Sequence, residues 1–307
     1  MTTSADASPD MVRRFDPIGG ILGVVAIGGA VVALTEGLRV GWSEPVVILS
    51  GSLALVAIAV FVPVERHRDD PMVPMRLFGS WQFSGANAAT ALIYFAINGG
   101  FFFTAVAFQT VVGFSPSTAG AALVPANVVM ILGSPVVGRM SEHISPRWLV
   151  ASGSVVLGLG FALLAPVGAG ADYTTEILPA AIVLGVGFSL MVPPLTASVL
   201  AATDERDVGV GAAVNNAVAR TAGLLATALL PGVVGAPADT SSAGFVDAYQ
   251  RGLLVVAAFC VGGAVIAAVT IGRSVGTYTT QSPSPLAGCS QVSVPARASA
   301  EPSSAAA

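Results

Sequence analysis

The chain has 307 residues, 54% of them hydrophobic and 10% charged, with a mean hydropathy of +0.82 and a formal net charge of −4. A soluble domain carries about 25% charged residues, so the charge here is too sparse to coat a water-facing surface and too weak overall to attract a nucleic acid. A soluble enzyme, a disordered chain and a disulfide scaffold are thereby excluded, which leaves an all-α polytopic membrane protein.

Arg13 and Arg14 precede the first apolar run in the manner of a signal peptide. The run from Ile18 to Thr35 is too long for a cleaved core and ends in no small-x-small site, so it reads as a retained span. Crossing about 30 Å of hydrocarbon takes about 20 apolar residues. Eight runs qualify, at 18–37, 46–63, 84–111, 119–137, 148–168, 178–201, 209–233 and 250–271. Every backbone N–H and C=O in oil must be bonded within its own segment, so these runs are helices. The longest polar break, 64–83, carries Glu65, Arg66, Arg68, Asp69 and Asp70 and separates a helix pair at 18–63 from six helices at 84–272. Residues 1–17 form a polar N-terminal tail, and 273–307, rich in Ser, Pro, Ala and Thr, predicts a disordered one.

All 13 basic residues are arginine. With the N-terminus inside, Arg13, Arg14, Arg66, Arg68, Arg76, Arg139, Arg147, Arg206, Arg273 and Arg297 fall on inner segments, Arg39 and Arg251 on outer ones, and Arg220 inside a span. This bias predicts an inner or plasma membrane protein with both termini cytoplasmic. Cys260 lies in an apolar run and Cys289 in the tail, while His67 and His143 sit in charged loops. No disulfide, metal or cofactor is expected from that placement.

The loop Gly138-Arg139-Met-Ser-Glu142-His143-Ile-Ser145-Pro-Arg147 resembles the cytoplasmic signature G-x-x-x-D-R-x-G-R-[KR] of the major facilitator superfamily. Gly138 and Arg147 match it, whereas Glu142, His143 and Ser145 replace Asp, Arg and Gly. Further segments are similar, in order, to the superfamily's fourteen-helix drug/proton antiporter branch: Phe15-Asp16-Pro-Ile-Gly19, Glu36-Gly37, Gly41-Trp42, Val64-Glu65-Arg66, Pro71, Leu77-Phe78, Phe108-Gln109 and Gly113-Phe114-Ser115. Ala119-Gly120, Leu123-Val124-Pro125, Pro193-Pro194, Asn215-Asn216, Arg220 and Gly223 continue the series. The resemblance covers Arg13 to Arg273. It implies that 18–63 are the branch's two linker helices and 84–272 its C-terminal six-helix bundle, with the N-terminal bundle missing. It further implies alternating-access efflux of amphipathic or drug-like small molecules. The opposing half would come from a separately encoded six-helix chain or a second copy. The rival reading is a truncated or non-transporting membrane protein with a scaffold or assembly role. A membrane-embedded enzyme is disfavoured, because no His, Asp or Glu cluster lies within a span.

Individual residues divide along the same lines. A central arginine costs about 2.5–3.5 kcal/mol on insertion scales, so Arg220 is expected to face a wet cavity, a polar partner or a helix-end carbonyl, or else to be tethered to Asn215, Asn216 or a neighbouring loop. Tyr94 and Asn98, one turn apart, together with Phe102 and Gln109, belong to the first helix of the six, which lines the cavity in the resembling family. Their aromatic faces suit cationic amphiphiles, and lipid-facing or packed phenylalanine is the plain alternative. Pro193 and Pro194 each remove a backbone donor, predicting a kink or opening of the sixth span with Met191 and Thr196 as lining groups, or else a packing kink. Asn127, beside Pro125, is expected to bond a carbonyl that the proline frees. Gly138, Arg139, Glu142 and Arg147 form either a loop that pairs and releases during a rocking cycle or a plain positive-inside loop. No carboxylate lies deep in a span, so this chain alone is not expected to couple export to protons.

Overall fold

The structure is a computed structural model that describes residues 17–67, 74–237, 240 and 243–272. The expected tails apart from Pro17, with Arg13, Arg14, Arg273, Arg297 and Cys289, lie outside the described residues, as do Phe15, Asp16, Arg68, Asp69, Asp70 and Pro71.

Among the described residues every regular element is helical: α1 (Pro17–Val40), α2 (Pro45–Arg66), a 3-10 turn (Met75–Gly79), α3 (Trp81–Thr110), α4 (Pro116–Ala122), α5 (Val124–Met140), α6 (Pro146–Leu164), a π-turn (Tyr173–Ile177) leading into α7 (Leu178–Leu200), α8 (Val208–Val233) and α9 (Ala243–Thr270). Proline opens α2, α4, α5, α6 and α7, where its missing N–H removes no helical bond. Ser80 caps α3 by accepting from the Phe83 amide at 3.3 Å, and Ser115 caps α4 by accepting from the Thr118 amide at 3.2 Å. Gly41, at φ +109°, makes the turn between α1 and α2 in a conformation that L side chains rarely adopt.

Seven helices or helix pairs are long and apolar enough to cross a membrane, with α4 and α5 counted together. Eight spans are expected from the sequence. The remaining one, α8, has 26 residues, enough for the crossing, but its amides and Arg220 dilute its apolarity. The fourth span is not one smooth helix either. Pro125 cannot donate, so the chain is recapped at Leu123, whose carbonyl accepts from the Asn127 side chain at 3.4 Å.

The helices pack in the order α5, α7, α6, α9, α3, α8, with α1 resting on α8 and α2 on α1. At one end of the spans Tyr173 donates to the Ala122 carbonyl at 3.4 Å and Tyr249 to the Leu164 carbonyl at 2.7 Å. At the other end Arg76 pairs with buried Asp207 at 2.5 Å, Gln82 reaches the Ser198 carbonyl at 3.4 Å and Ser145 the Gly272 carbonyl at 3.5 Å. The 64–83 segment is thus more than a spacer: Leu77 is buried with Phe83, Ala86 and Val199, and Arg76 fastens it to the start of α8.

The core lies among α3, α6, α7 and α9, around Phe103, Phe108, Leu157, Phe161, Leu184, Tyr249 and Cys260. Glycine sets the spacing between α6 and α7. A Cβ on Gly187 would lie 2.6 Å from the Leu157 amide nitrogen, and one on Gly153 would lie 2.7 Å from that of Met191. Such contacts fall on backbone and cannot be relieved by a rotamer change. Gly187→Ala should therefore cost about 1–3 kcal/mol, the range for overpacking. Gly120→Ala, which meets open space, should be neutral or mildly stabilising. Unfolding in graded denaturing detergent would measure both.

Asp172 caps the π-turn ahead of α7. Its Oδ1 accepts from the amides of Thr174 at 3.0 Å and Thr175 at 2.9 Å and from both hydroxyls, while Glu176 accepts from its amide at 3.2 Å. The Thr174 hydroxyl, then the Thr175 amide and hydroxyl, hold its carboxyl below the usual carboxylate range. A depressed folded-state value means that the cap is complete above the unfolded pKa and is lost as pH falls through the folded one. Amide exchange at Thr174 and Thr175 should be slow at neutral pH and lose protection only in that acidic window, and Asp172→Ala should abolish the step.

Candidate functional site

The spans hold few polar side chains, and most of these are satisfied by their own helix. Thr90 donates to the Ala86 carbonyl at 2.9 Å, Asn98 to Tyr94 at 2.8 Å, Gln109 to Ala105 at 2.9 Å and Thr196 to Val192 at 3.1 Å. In hydrocarbon this returns each polar group to the nearest free lone pair.

The exception is the seam between α3 and α8. Asn215 donates its two amide hydrogens to Asn87 Oδ1 at 3.2 Å and Thr90 Oγ1 at 2.8 Å. Asn87 and Thr90 are buried, and Asn87 also donates to the Phe83 carbonyl at 2.9 Å. Two turns further along, the Asn98 side chain lies against Gly223, where an added Cβ would sit 2.8 Å from its carboxamide carbon. Tyr94 and Asn98 therefore belong to one polar stripe, and Asn98 closes onto α8 because Gly223 offers no side chain.

Asn216 and Arg220, one turn apart, occupy another face of α8 and are exposed. Arg220 sits at the middle of this 26-residue helix, roughly 18 Å from either end at 1.5 Å per residue. It makes no hydrogen bond or ion pair among the described residues. The expected tether to Asn215 or Asn216 is therefore not formed: Asn215 is turned toward Asn87 and Thr90 of α3, and Asn216 lies on the exposed face without bonding the arginine.

Other expected lining groups lie apart from this seam. Met191 is fully buried in the core, because α7 is packed by α6 on that side, and it lines no open cavity. Phe102 is exposed and lines a separate cavity of about 390 Å³ with Thr35, Leu38, Arg39 and Pro231. Its neighbour Phe101 instead stacks on Phe188 of α7, with centroids 5.9 Å apart and planes 6° apart. Gln109 and Thr196 are exposed near helix ends. Pro193 and Pro194 do not interrupt α7, which is helical from Leu178 to Leu200. The expected opening is absent because losing two donors leaves the remaining ladder and the packing against α6 in place.

The expected signature loop is also redistributed. Gly138 and Arg139 belong to the last turn of α5, and Arg147 to the first turn of α6. Only Ser141–Ser145 is loop, held by Ser141 donating to the Val137 carbonyl at 2.9 Å. Gly138 is therefore helical and makes no turn. Arg147 lies over the Trp148 ring at 4.8 Å, while Arg139 and Glu142 point to the outside and are exposed.

A family model described as Major Facilitator Superfamily matches residues 12–227 and, in a second alignment, 88–299. The chain belongs to the major facilitator superfamily. The puromycin resistance protein pur8 of Streptomyces alboniger is 30% identical over 266 residues, covering 83% of this chain and 53% of pur8. The cephamycin export protein CmcT of Amycolatopsis lactamdurans is 29% identical over 261 residues, with the same 83% and 53% coverage. The multidrug resistance protein Stp of Mycobacterium tuberculosis is 33% identical over 155 residues, 50% of this chain and 29% of Stp. This major facilitator chain thus spans about half the length of the long-aligned curated relatives it matches.

Sequence reasoning missed Asn87 and Thr90, although their spacing to Tyr94 and Asn98 (i, i+3, i+7, i+11) places all four on one stripe of α3. It also missed Asp207, whose position just before an apolar run marks a helix start. Removing Asn215 strands two buried partners. Interhelical hydrogen bonds in membranes are worth about 0.6 kcal/mol on average and at most about 1.7. Asn215→Ala should destabilise the major facilitator fold by that order, and a double-mutant cycle with Thr90→Ala should return a coupling near the average. Denaturing-detergent titration of the four proteins checks this.

Proposed function

We propose that this major facilitator chain supplies the two linker helices and the C-terminal bundle of a fourteen-helix drug/proton antiporter-type exporter. In this reading it sits in the plasma membrane with the Arg76–Asp207 end cytoplasmic, and it moves amphipathic small molecules outward by alternating access. Among the described residues Arg66, Arg76, Arg139, Arg147 and Arg206 gather at that end, against Arg39 and Arg251 at the other, which supports the orientation. The printed names of pur8, CmcT and Stp support efflux as the direction.

The observation that carries the reading is Arg220, exposed and without a protein partner at mid-depth of α8. In a membrane such a charge must be hydrated or matched by an anion. An opposing bundle meeting the exposed faces of α8 and α5 would enclose Arg220 and Asn216 in a wet cavity. That bundle is another stretch of polypeptide or a second copy of this one. No carboxylate lies at that depth in the described spans, so the opposing bundle or the substrate supplies the counter-charge. The bundle described here does not couple to protons by itself.

Efflux of a fluorescent amphiphilic cation from proteoliposomes tests this, with the chain alone and co-reconstituted with a six-helix major facilitator N-terminal bundle. We expect transport with the six-helix bundle, or from the chain alone only where a second copy opposes it, reduced roughly tenfold by Arg220→Ala, the factor that ~1.4 kcal/mol commands, and partly retained by Arg220→Lys. Normal transport by Arg220→Ala would remove the residue from the mechanism. Proton-coupled efflux by the chain alone would refute the division of labour. Silence of every pairing would favour a scaffold or assembly role.

A further inference from the structure

The linker pair does not seat flush on the bundle. Between α1 and α2 on one side and α3 and α8 on the other runs a crevice of about 500 Å³, within the usual size of a ligand site. Its walls include Ile27, Phe61, Phe78 and Ala91 and the side of α8 from Val214 to Leu225, and Thr221 is its one polar side chain. That stretch of α8 is roughly 16 Å long at 1.5 Å per residue and ends at Leu225, five residues past Arg220 at the helix midpoint, so a chain entering from the Arg76 end runs to just beyond mid-depth. The crevice begins at the 3-10 turn, where Met75 and Phe78 line it and Arg76, between them in sequence, keeps its side chain 60% exposed. Arg66, exposed at the end of α2, lies five residues past Phe61 toward the same end.

An apolar slot that runs past mid-depth between helices of membrane length, with Arg76 between two of its lining residues and Arg66 at the same end of α2, has the shape and charge for a lipid. We propose that the crevice holds one acyl chain of an anionic phospholipid from the leaflet on the Arg76 side, with its phosphate held by Arg66 and Arg76. The lipid fills the gap between linker and bundle and fastens α1 and α2 to α8. The site is distinct from the Arg220 face, and it does not depend on the export reading.

Electron spin resonance of the whole chain in phosphatidylcholine vesicles, with trace spin-labelled phosphatidylglycerol or spin-labelled phosphatidylcholine, tests the proposal. The motionally restricted fraction should favour phosphatidylglycerol about fivefold, the factor for one arginine near a surface, because Asp207 already matches the charge of Arg76 and Arg66 supplies the net one. Arg66→Gln should bring that preference close to unity without disturbing the Arg76–Asp207 pair. Ala217→Trp and Thr221→Phe fill the crevice from two turns of α8, and whichever keeps its helical circular dichroism should lose the same restricted component. A preference that persists in the filled variant overturns the proposal, since surface charge alone then explains it. Displacement of the labelled lipid by ethidium overturns it too, because the crevice would then be a drug site.

Discussion

Lipid tails solvate leucine as well as leucine does, so helices in a bilayer have little hydrophobic reason to leave lipid for one another. Association rests on how closely two backbones can approach, and the tight half of this molecule is built on that condition. Gly153 and Gly187 bring α6 and α7 to backbone contact, Gly160 admits Leu184, and Gly158 lies against Ala257 and Cys260 of α9. Half or more of the best window of α3, α6 and α7 is buried, against 17% for α1, α2 and the α4–α5 pair. The rigid element is therefore the α3, α6, α7 and α9 group. The outer helices α5 and α8 each lean chiefly on one neighbour, α7 and α3 respectively.

Polarity is distributed by the same economy. Hydroxyls and amides in the spans fold back onto the carbonyl one turn earlier, which makes them invisible to neighbouring helices. Asn215 reaches across between two side chains, and it does so where Asn87 and Thr90 have each kept an acceptor free, while Gln82 and Tyr249 reach backbone carbonyls of neighbouring helices near the ends. Apart from Arg220, the charged groups of the described residues lie toward the helix ends. There the Arg76–Asp207 pair is structural in a specific way: Asp207 is buried at the first turn of α8 while Arg76 belongs to the segment that follows α2. This ion pair thus ties the 3-10 turn ahead of α3 to the start of α8.

Span positions were legible because the bilayer fixes the length of an apolar run, and each observed helix overlaps its expected run with ends displaced by a few residues. The ends move because apolarity alone does not decide them: the Ser80 cap starts α3 three residues early, and α9 gains nearly two turns before residue 250. Met191 was misread for a different reason. Buried residues of α7 fall at 180, 181, 184, 185, 187, 189, 191, 194, 195, 198 and 199, and an almost uniformly apolar helix offers no pattern to say which side is open. The amide stripe of α3 was half legible. Tyr94 and Asn98 stand out near the middle of the span, whereas Asn87 and Thr90 gain meaning only when Asn215 is brought to them from 125 or more residues away. The prolines of α7 show the reverse limit: the lost donors are certain from sequence, but whether a helix opens there depends on what packs around it.

Helix α8 is where these constraints meet, since it presents three different surfaces. Gly211, Ala219, Ala222, Gly223, Ala226 and Leu230 are buried, small enough for α3 to approach. Val214, Val218, Thr221 and Leu225 line the space toward α1 and α2. Asn216, Arg220, Leu224 and Thr227 make the third surface and are exposed. The first two surfaces carry no charge, hold Asn215 and Thr221 as their polar side chains, and face α3 and the helix pair. The third carries a charge at a depth where lipid contact costs about 2.5–3.5 kcal/mol, more than twice what a typical interhelical hydrogen bond returns. A helix whose only requirement was to pack would have no use for that arginine, and replacing it would stabilise the span. In the proposed exporter the counterpart of Arg220 lies outside this bundle, as water or an anion in the cavity that the opposing bundle encloses.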